Sequence, residues 1–369
     1  MKISFGTTIV EGPFGGGNLF LYNLIQYLKA KNYEIVHNLE DNDIDLIILT
    51  NPLMSSLTST FDHNDILYYQ KFINPNSISL QRINECDERK NTNHVNKTIV
   101  QSNKHIDITI FVSNWLKNLY LNLGIKDSNT FVIRGGPNTQ VFNNENKTKW
   151  NNNEKLKIVT HHWSSNWMKG FDSYVELDNL LSKNHWNDKV EFTYIGNLPK
   201  NFNFKNTIYK KPMNDKNLAA ELKKNHIYIT GSLNEPSGNH HMEAALCGLP
   251  ILYINSGGIP EFCKDYGVSF ENNNLEKSLI KIIKNYEKLF QNLTLYPYSF
   301  QNAAKEFDKI VDSIALNKSE LMNIRNFPNS YTIKYRYFKN KIFRVINALN
   351  KKTRKVLGEN KRKLLKIGL

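Results

Sequence analysis

The sequence has few cysteines and no long apolar run. Its three cysteines, Cys86, Cys247 and Cys263, form no CxxC pair, and their odd number argues against a disulfide framework. We therefore expect a reducing, cytoplasmic setting. The longest apolar stretches, near 46–49 and 249–254, are far shorter than the roughly 18 residues that cross a bilayer. The sequence therefore predicts no membrane-spanning segment. The apolar run at the start of the chain is also too short for a secretory signal.

Repeats, low-complexity segments and metal-binding motifs are also lacking. The absence of the first two excludes fibrous and largely disordered classes, and 369 residues predict about two domains. The D-x-D matches at 41–45 lie in a turn before an apolar strand, and the paired histidines at 161–162 and 240–241 lack tetrahedral zinc spacing. We expect no metal ion and no other cofactor.

Short β-type runs alternate with helical periodicity along most of the chain, which predicts an α/β fold with parallel sheets. The Asn-rich segment 143–155 separates two such series and is the linker candidate, although a surface loop inside one domain would have the same composition. The sequence thus predicts domains at 1–150 and 151–320, followed by a tail at 321–369.

The net charge of +14 is concentrated in the tail, where residues 321–369 contain 14 basic residues and one acidic residue. Over 331–369 an apolar stripe with basic flanks is typical of an amphipathic helix on an anionic membrane surface. Nucleic-acid binding and a solvated, partner-binding tail are the alternatives, and we favour the membrane. The stripe comprises Phe338, Ile342, Val345, Ile346 and Leu349, and the flanking or opposite faces carry Lys339, Lys341, Arg344 and Lys351.

The most informative stretch runs from 226 to 262. A strand ends at Thr230 and a helix begins near Gly238, so the helix start lies at the carboxyl edge of a parallel sheet. Ligands of α/β folds bind at that edge, and the free backbone N–H groups of a helix start attract phosphate oxygens. Glu235 and Glu243 would approach one ligand from different depths, and phosphate and hydroxyl contacts together describe a nucleotide sugar. Either glutamate alone would be explained better as a capping or solvated residue, and it is the agreement of the neighbouring elements that favours a site.

This stretch resembles the retaining glycosyltransferases of family 4, which have the two-domain GT-B fold. Their hallmark is a Glu, seven residues and a second Glu, followed by a small-residue helix, a strand and a Gly-Gly loop. Here it is Glu235, PSGNHHM, Glu243 and AALCGLPILYINSGG. The segment SSNWMKGFD places Lys169 at the family's Lys-Gly motif, and YPYSFQNAAKEFDKIVDSI is similar to its final helix, which returns to the first domain. The resemblance covers roughly residues 1–318.

The resemblance implies two Rossmann-like domains that face a cleft, with the acceptor on the first and a nucleoside-diphosphate sugar on the second. It implies front-face transfer with retention to a hydroxyl of a glycan or lipid-linked acceptor. In that scheme Glu235 contacts the donor sugar, Lys169 pairs with the donor phosphates, and both are catalytic candidates. The expected donor-binding residues are Glu243, Ser237, Gly238, Asn239, Gly15, Gly16 and Gly17.

One departure concerns the phosphate cations. The family usually has a Gly-Arg pair shortly before the motif lysine, but this chain has His-His-Trp-Ser-Ser at 161–165. A protonated histidine, Arg82 or Arg134 are the candidates for the second cation. The glycine-rich loop at 12–17 is not GxGxxG, and no acidic residue ends the second strand, which disfavours a dehydrogenase.

The segment 80–96 is densely polar, and a solvated loop is its simplest interpretation. The alternative is that Arg82, Asn84 and Asp87 bind acceptor hydroxyls. For the whole chain, the alternatives to a transferase are a degenerate GT-B protein that only binds a sugar nucleotide or nucleic acid, and a phosphorylase or epimerase of the same fold. The expected location is the cytoplasm, with peripheral contact to the cytoplasmic membrane face.

Overall fold

The computed structural model describes residues 1–10, 16–52, 58–271 and 273–346. Within these ranges the chain forms two six-stranded parallel sheets, named here the N-terminal and the C-terminal sheet. The predicted site residue Gly15 lies outside the described residues, as do the tail positions Leu349 and Lys351.

The N-terminal sheet alternates with short crossover helices. Its strands are β1 (Lys2–Phe5), β2 (Glu34–Val36), β3 (Leu46–Leu49), β4 (Ile78–Ile83), β5 (Ile108–Phe111) and β6 (Thr130–Val132). The helices are α1 (Gly16–Ala30), α2 (His63–Phe72), α3 (Asp87–Lys90), α4 (Val95–Asn103) and α5 (Asn114–Asn122). The strand order is β2-β1-β3-β4-β5-β6, so the order reverses between β1 and β3.

The C-terminal sheet is built in the same way. Its strands are β7 (Leu156–His162), β8 (Val190–Gly196), β9 (Ile208–Lys210), β10 (Ile227–Thr230), β11 (Ile251–Ile254) and β12 (Gly267–Phe270). The helices are α6 (Phe171–Leu180), α7 (Asn184–Asn187), α8 (Asp215–Lys223), α9 (Asn239–Leu246), α10 (Ile259–Cys263), α11 (Leu275–Lys284), α12 (Tyr286–Asn292) and α13 (Phe300–Asn323). The order β12-β11-β10-β7-β8-β9 reverses between β10 and β7.

Strands β3 and β11 are continuous apolar runs because both faces of each sheet are covered. In β3, the side chains of Leu46 and Ile48 pack in the cluster that contains α1, while those of Ile47 and Leu49 pack on the opposite face with α2. Successive strand residues point to opposite faces, so all four side chains of β3 are buried.

The interpretation of 80–96 as one loop is wrong at its start, because β4 extends through Ile83. The polar residues of β4 gave its sequence the appearance of a loop, but in the structure they hydrogen-bond to buried partners. Gln81 donates from Nε2 to the hydroxyl of Ser102 at 2.8 Å, and the hydroxyl of Ser79 donates to Asp107 at 2.9 Å. Buried polar side chains are stable in a strand when their hydrogen bonds are made.

Helix α13 follows the C-terminal sheet in sequence but packs against the N-terminal sheet, as the resemblance implies. Its residues Ala303, Ala304, Phe307 and Val311 are nearly inaccessible and belong to the same cluster as β1, β3 and β4. The segment 143–155 contains no helix or strand.

Residues 330–346 are helical, and we name them the tail helix. It packs on α2: the ring of Tyr337 stacks on Tyr68 with centroids 3.8 Å apart, and Arg344 donates to Asp65 at 2.6 Å. Arg344 therefore faces the protein, whereas the sequence predicts it among the outward basic residues that flank the apolar stripe. An apolar stripe stays exposed, with exposed fractions of 80% for Tyr331, 57% for Tyr335, 54% for Phe338, 62% for Ile342 and 59% for Val345.

None of the helices in the described ranges is both long and apolar enough to cross a bilayer.

Candidate functional site

A cleft of about 1290 Å³ lies between the two sheets, at the carboxyl ends of their strands. The residues after β1 and β3 line one wall, and the residues after β7 and β10 line the other. These are the places where strand order reverses in each sheet, and such reversals open the crevice in which α/β folds bind ligands. The volume is sufficient for a ligand larger than an ordinary drug-sized molecule.

Glu235 is a buried charge in the cleft and is held by two cations. Its side chain is 6% exposed, and its two oxygens accept from Lys169 Nζ at 2.5 Å and from Arg89 Nε at 2.9 Å. Burial alone would raise the pKa of Glu235, but the charges of Lys169 and Arg89 outweigh it and lower that pKa to about 2. Glu235 is therefore ionised at neutral pH, with one cation from each side of the cleft.

The loop after β10 fixes Glu235 beside the start of α9. Gly238, the residue before that helix, has φ of 58°, and a Cβ there would lie 2.8 Å from Cγ of Glu235. Glycine is needed because another side chain would be both strained and in collision with the glutamate. No acidic residue occupies the first turn of α9, and Ser237, Gly238 and Asn239 line the cleft, so backbone N–H groups remain for an anion.

Lys169 sits on a turn that is locked to the same loop. Gly170 has φ of 105°, and a Cβ there would lie 2.6 Å from the backbone of Gly231. The backbone of Lys169 accepts from the hydroxyl of Ser232 at 3.2 Å. The close backbone approach therefore sets the position of the ammonium group relative to Glu235.

Glu243 lies inside α9 and faces the cleft, where it contacts His161 at the end of β7. The distance from Nε2 of His161 to Oε2 of Glu243 is 2.7 Å. Glu243 would orient hydroxyl groups of a ligand at this depth, with His161 as its fixed neighbour. The sequence identified Glu243 and did not anticipate this pairing.

Three of the neighbouring histidines, His162, His240 and His241, do not supply the second cation. Burial lowers the pKa of His162 and His240 well below its usual value, and lowers that of His241 to about 3. These three imidazoles are neutral near pH 7. In the part of the chain that the structure describes, no group of three or more His, Cys, Asp and Glu side chains is placed to hold a metal ion.

The opposite wall brings the start of α1 close to the start of α9. A Cβ on Gly16 would lie 3.0 Å from Nδ2 of Asn239, and one on Gly17 would lie 3.2 Å from Nδ2 of Asn84. Arg82 also lines this wall, with its guanidinium 4.2 Å from the ring centroid of Phe20. Burial lowers the pKa of Arg82 to about 10, so it stays charged at neutral pH.

Two sequence candidates are not brought into the cleft. The carboxylate of Asp87 accepts from the backbone N–H groups of Val95 and Asn96 at 2.9 Å, which caps α4. Arg134 pairs with Glu261 at 2.9 Å, away from the cleft lining. Their charges are thus used within the fold.

Arg89 is the residue that sequence reasoning missed. It lies on α3, one of the shortest helices, and reaches Glu235 across 146 positions of sequence. The sequence signal was the cluster of charges at 85–90, but nothing in it fixed which side of the cleft that cluster would face.

Comparison with known proteins identifies a family region and the fold. Residues 142–294 match the family model described as glycosyl transferases group 1. The chain is similar to the phosphatidylinositol N-acetylglucosaminyltransferase gpi3 subunit of Schizosaccharomyces pombe, with 26% identity over 165 residues. That match covers 40% of this chain and 36% of the relative's length.

Two solved structures show the same architecture over most of the chain. Sucrose-phosphate synthase from Thermosynechococcus elongatus has a TM-score of 0.59 at 12% identity, covering 85% of this chain and 99% of that one. HepE from Anabaena, in complex with UDP, has a TM-score of 0.61 at 13% identity, with the same coverage of 85% and 99%. The predicted fold is confirmed: the chain has two parallel six-stranded sheets in the GT-B arrangement of these structures.

Proposed function

We propose that this chain is a retaining glycosyltransferase of family 4. It moves a sugar from a nucleoside-diphosphate sugar to a hydroxyl of a glycan or lipid-linked acceptor. The observation that carries the proposal is the Lys169–Glu235 ion pair beside the free start of α9, in a cleft between two parallel sheets. The spacing of seven residues between Glu235 and Glu243 supports the family assignment.

The donor binds to the 151–320 domain in this proposal. Its diphosphate lies between the ammonium group of Lys169 and the backbone N–H groups at the start of α9, where opposite charge and helix dipole both favour it. Glu243 accepts from the ribose hydroxyls, and Glu235 accepts from a hydroxyl of the sugar to be transferred. Diphosphate binding draws Lys169 away from Glu235, which frees the carboxylate for that hydroxyl.

The reaction needs no nucleophile from the protein. The acceptor hydroxyl attacks the anomeric carbon on the face from which the diphosphate leaves, so one C–O bond forms as the other breaks. The proton of the hydroxyl passes to the departing phosphate oxygen. Lys169 and the start of α9 stabilise the developing negative charge, so that the proposal requires no metal ion or other cofactor.

The acceptor binds to the 1–150 domain, against the wall that carries Arg82 and Asn84. Gly16 and Gly17 on the same domain contact the donor, since a Cβ on Gly16 would lie 3.0 Å from Asn239 at the start of α9. The tail from 321 holds the enzyme on an anionic membrane surface through its exposed stripe and basic residues. That arrangement suits a lipid-linked acceptor and a peripheral location on the cytoplasmic membrane face.

A thermal-shift panel tests the donor half of the proposal. The protein is heated with UDP, GDP, ADP or CDP and their common sugar conjugates, with and without EDTA. The nucleotides of one base are expected to raise Tm, because a ligand that binds only the folded state stabilises it by about 2.7 kcal/mol at 100 times its Kd. The shift should be the same with and without EDTA, since the proposal requires no metal ion.

Lys169→Ala is expected to abolish most of that shift and of the transfer activity. Lys210→Ala is the matched control, because Lys210 forms the same kind of ion pair with Glu221, at 2.5 Å, outside the cleft. If the protein is folded and none of the nucleotides raises its Tm, the proposal is contradicted. Full activity of Lys169→Ala would remove Lys169 from the mechanism.

A further inference from the structure

Arg89 reaches into the cleft from the side opposite Lys169. It lies on α3, between β4 and β5 of the N-terminal sheet, whereas Lys169 and Glu235 follow β7 and β10 of the C-terminal sheet. Its Nε donates to Oε1 of Glu235 at 2.9 Å, while Lys169 contacts Oε2 of the same carboxylate. The two cations thus meet on one anion, and both line the cleft.

Glu85 holds the Arg89 guanidinium in this orientation. Nη1 of Arg89 donates to both oxygens of Glu85, at 3.0 and 2.9 Å. Nη2 has no acceptor among the residues that the structure describes. A second contact holds α3 on the same loop, because Nδ2 of Asn234 donates to the backbone oxygen of Glu88 at 3.3 Å. Arg89 is therefore fixed in place, with donors left for a ligand.

The other cations of the cleft are less suited to share a ligand with Lys169. The guanidinium of Arg82 lies over the ring of Phe20, and Lys90 and Lys216 are exposed. None of these three forms an ion pair with Glu235 in the described ranges.

We propose that Arg89 is the second diphosphate-binding cation of this chain, supplied across the cleft by the N-terminal half. The inference rests on the proposed function, since it assigns a further binding residue to that donor site. Without a ligand, both cations donate to Glu235. When a nucleoside diphosphate binds, its terminal phosphate accepts hydrogen bonds from both of them. A planar guanidinium suits this role because it can bind two phosphate oxygens at once.

The test measures affinity for UDP and UMP by calorimetry, or for the di- and monophosphate of whichever base shifts Tm. Arg89→Ala is expected to weaken diphosphate binding by about 10- to 100-fold and monophosphate binding by less than about threefold, because a charge-assisted hydrogen bond to the terminal phosphate is lost. The diphosphate affinity of Arg89→Lys should lie between those of the wild type and Arg89→Ala. Arg134→Ala is the matched control: Arg134 also bridges the two halves through a glutamate and is 29% exposed, against 26% for Arg89.

Measurements in a Glu235→Gln background separate phosphate binding from positioning. If Arg89 binds the phosphate, Arg89→Ala still weakens diphosphate binding in that background. If Arg89 only holds the Glu235 carboxylate, the effect disappears there, and the inference is overturned. Equal losses for UDP and UMP, or for Arg89→Ala and Arg134→Ala, would also overturn it.

The outcomes distinguish this inference from the proposed function. A wild-type protein that binds no nucleoside diphosphate overturns both. A wild-type protein that binds one, with Arg89→Ala binding it equally well, overturns only the role of Arg89. If Arg89→Ala does not fold, Arg89→Gln provides the comparison, because it keeps a polar side chain with N–H donors and removes the positive charge.

Discussion

Replacing Lys169 by methionine isolates the energy of the ion pair at the centre of the cleft. Methionine keeps much of the apolar stem and removes the ammonium group from Oε2 of Glu235. The carboxylate then stays buried with Arg89 as its remaining cation, so we expect its pKa to rise and the folded state to lose stability.

The magnitude follows from the pKa of Glu235. Lowering a carboxyl pKa from 4.5 to about 2 corresponds to roughly 3 kcal/mol of stabilisation. Because Lys169 supplies the larger of the two favourable charge interactions and Arg89 remains, Lys169→Met should cost about 2 kcal/mol at pH 7.

The pH dependence gives the sharper test. The folded-state pKa is depressed, so the stabilisation is fully present above pH 4.5 and is lost as pH falls towards 2. The stability difference between wild type and Lys169→Met should therefore shrink as pH falls from 5 to 3, as measured by urea unfolding at each pH.

A Glu235→Gln background is the control, since it has no carboxylate to titrate at this position. There the effect of Lys169→Met should be independent of pH over the same range. If Lys169→Met destabilises the protein that retains Glu235 as much at pH 3 as at pH 7, the reasoning is refuted, because the effect would then come from packing rather than from charge.

Three further predictions concern other parts of the molecule. Phe307→Ala, in the nearly inaccessible part of α13, should cost about 3–5 kcal/mol in denaturant unfolding. Gly170→Ala should abolish the nucleotide-induced Tm shift by displacing Lys169, whereas Gly124→Ala, with a similar φ of 101° and open space around it, should not. Phe338→Ser should weaken sedimentation with anionic vesicles, whereas Leu316→Ser, at an 86% exposed position on α13, should leave it unchanged.

The sequence was most informative where local chemistry and chain order coincide. Strand, glycine and helix start follow one another within 227–246, so the order of residues alone places Glu235, Gly238 and Glu243 relative to a sheet edge. Lys169 needed the family resemblance, because a single lysine before a glycine predicts little by itself.

Long-range contacts account for what the sequence could not provide. Strand β4 was obscured by polar residues whose partners lie elsewhere, such as the hydroxyl of Ser102 beside Gln81. Arg89 is one basic residue in a charged segment, and only the packing of α3 against the loop after β10 brings it to Glu235. Asp87 was a reasonable ligand candidate, but its carboxylate caps α4.

The path of α13 determines the order in which the protein can fold during synthesis. The N-terminal sheet emerges first from the ribosome, but Phe307, Val311 and Ile314 complete its core from the other end of the chain. Until those residues emerge, that sheet has an open apolar groove, while the C-terminal sheet already has its own strands and helices. The half that is translated first is therefore completed last, and it is the half that would most benefit from a chaperone while the ribosome is still translating.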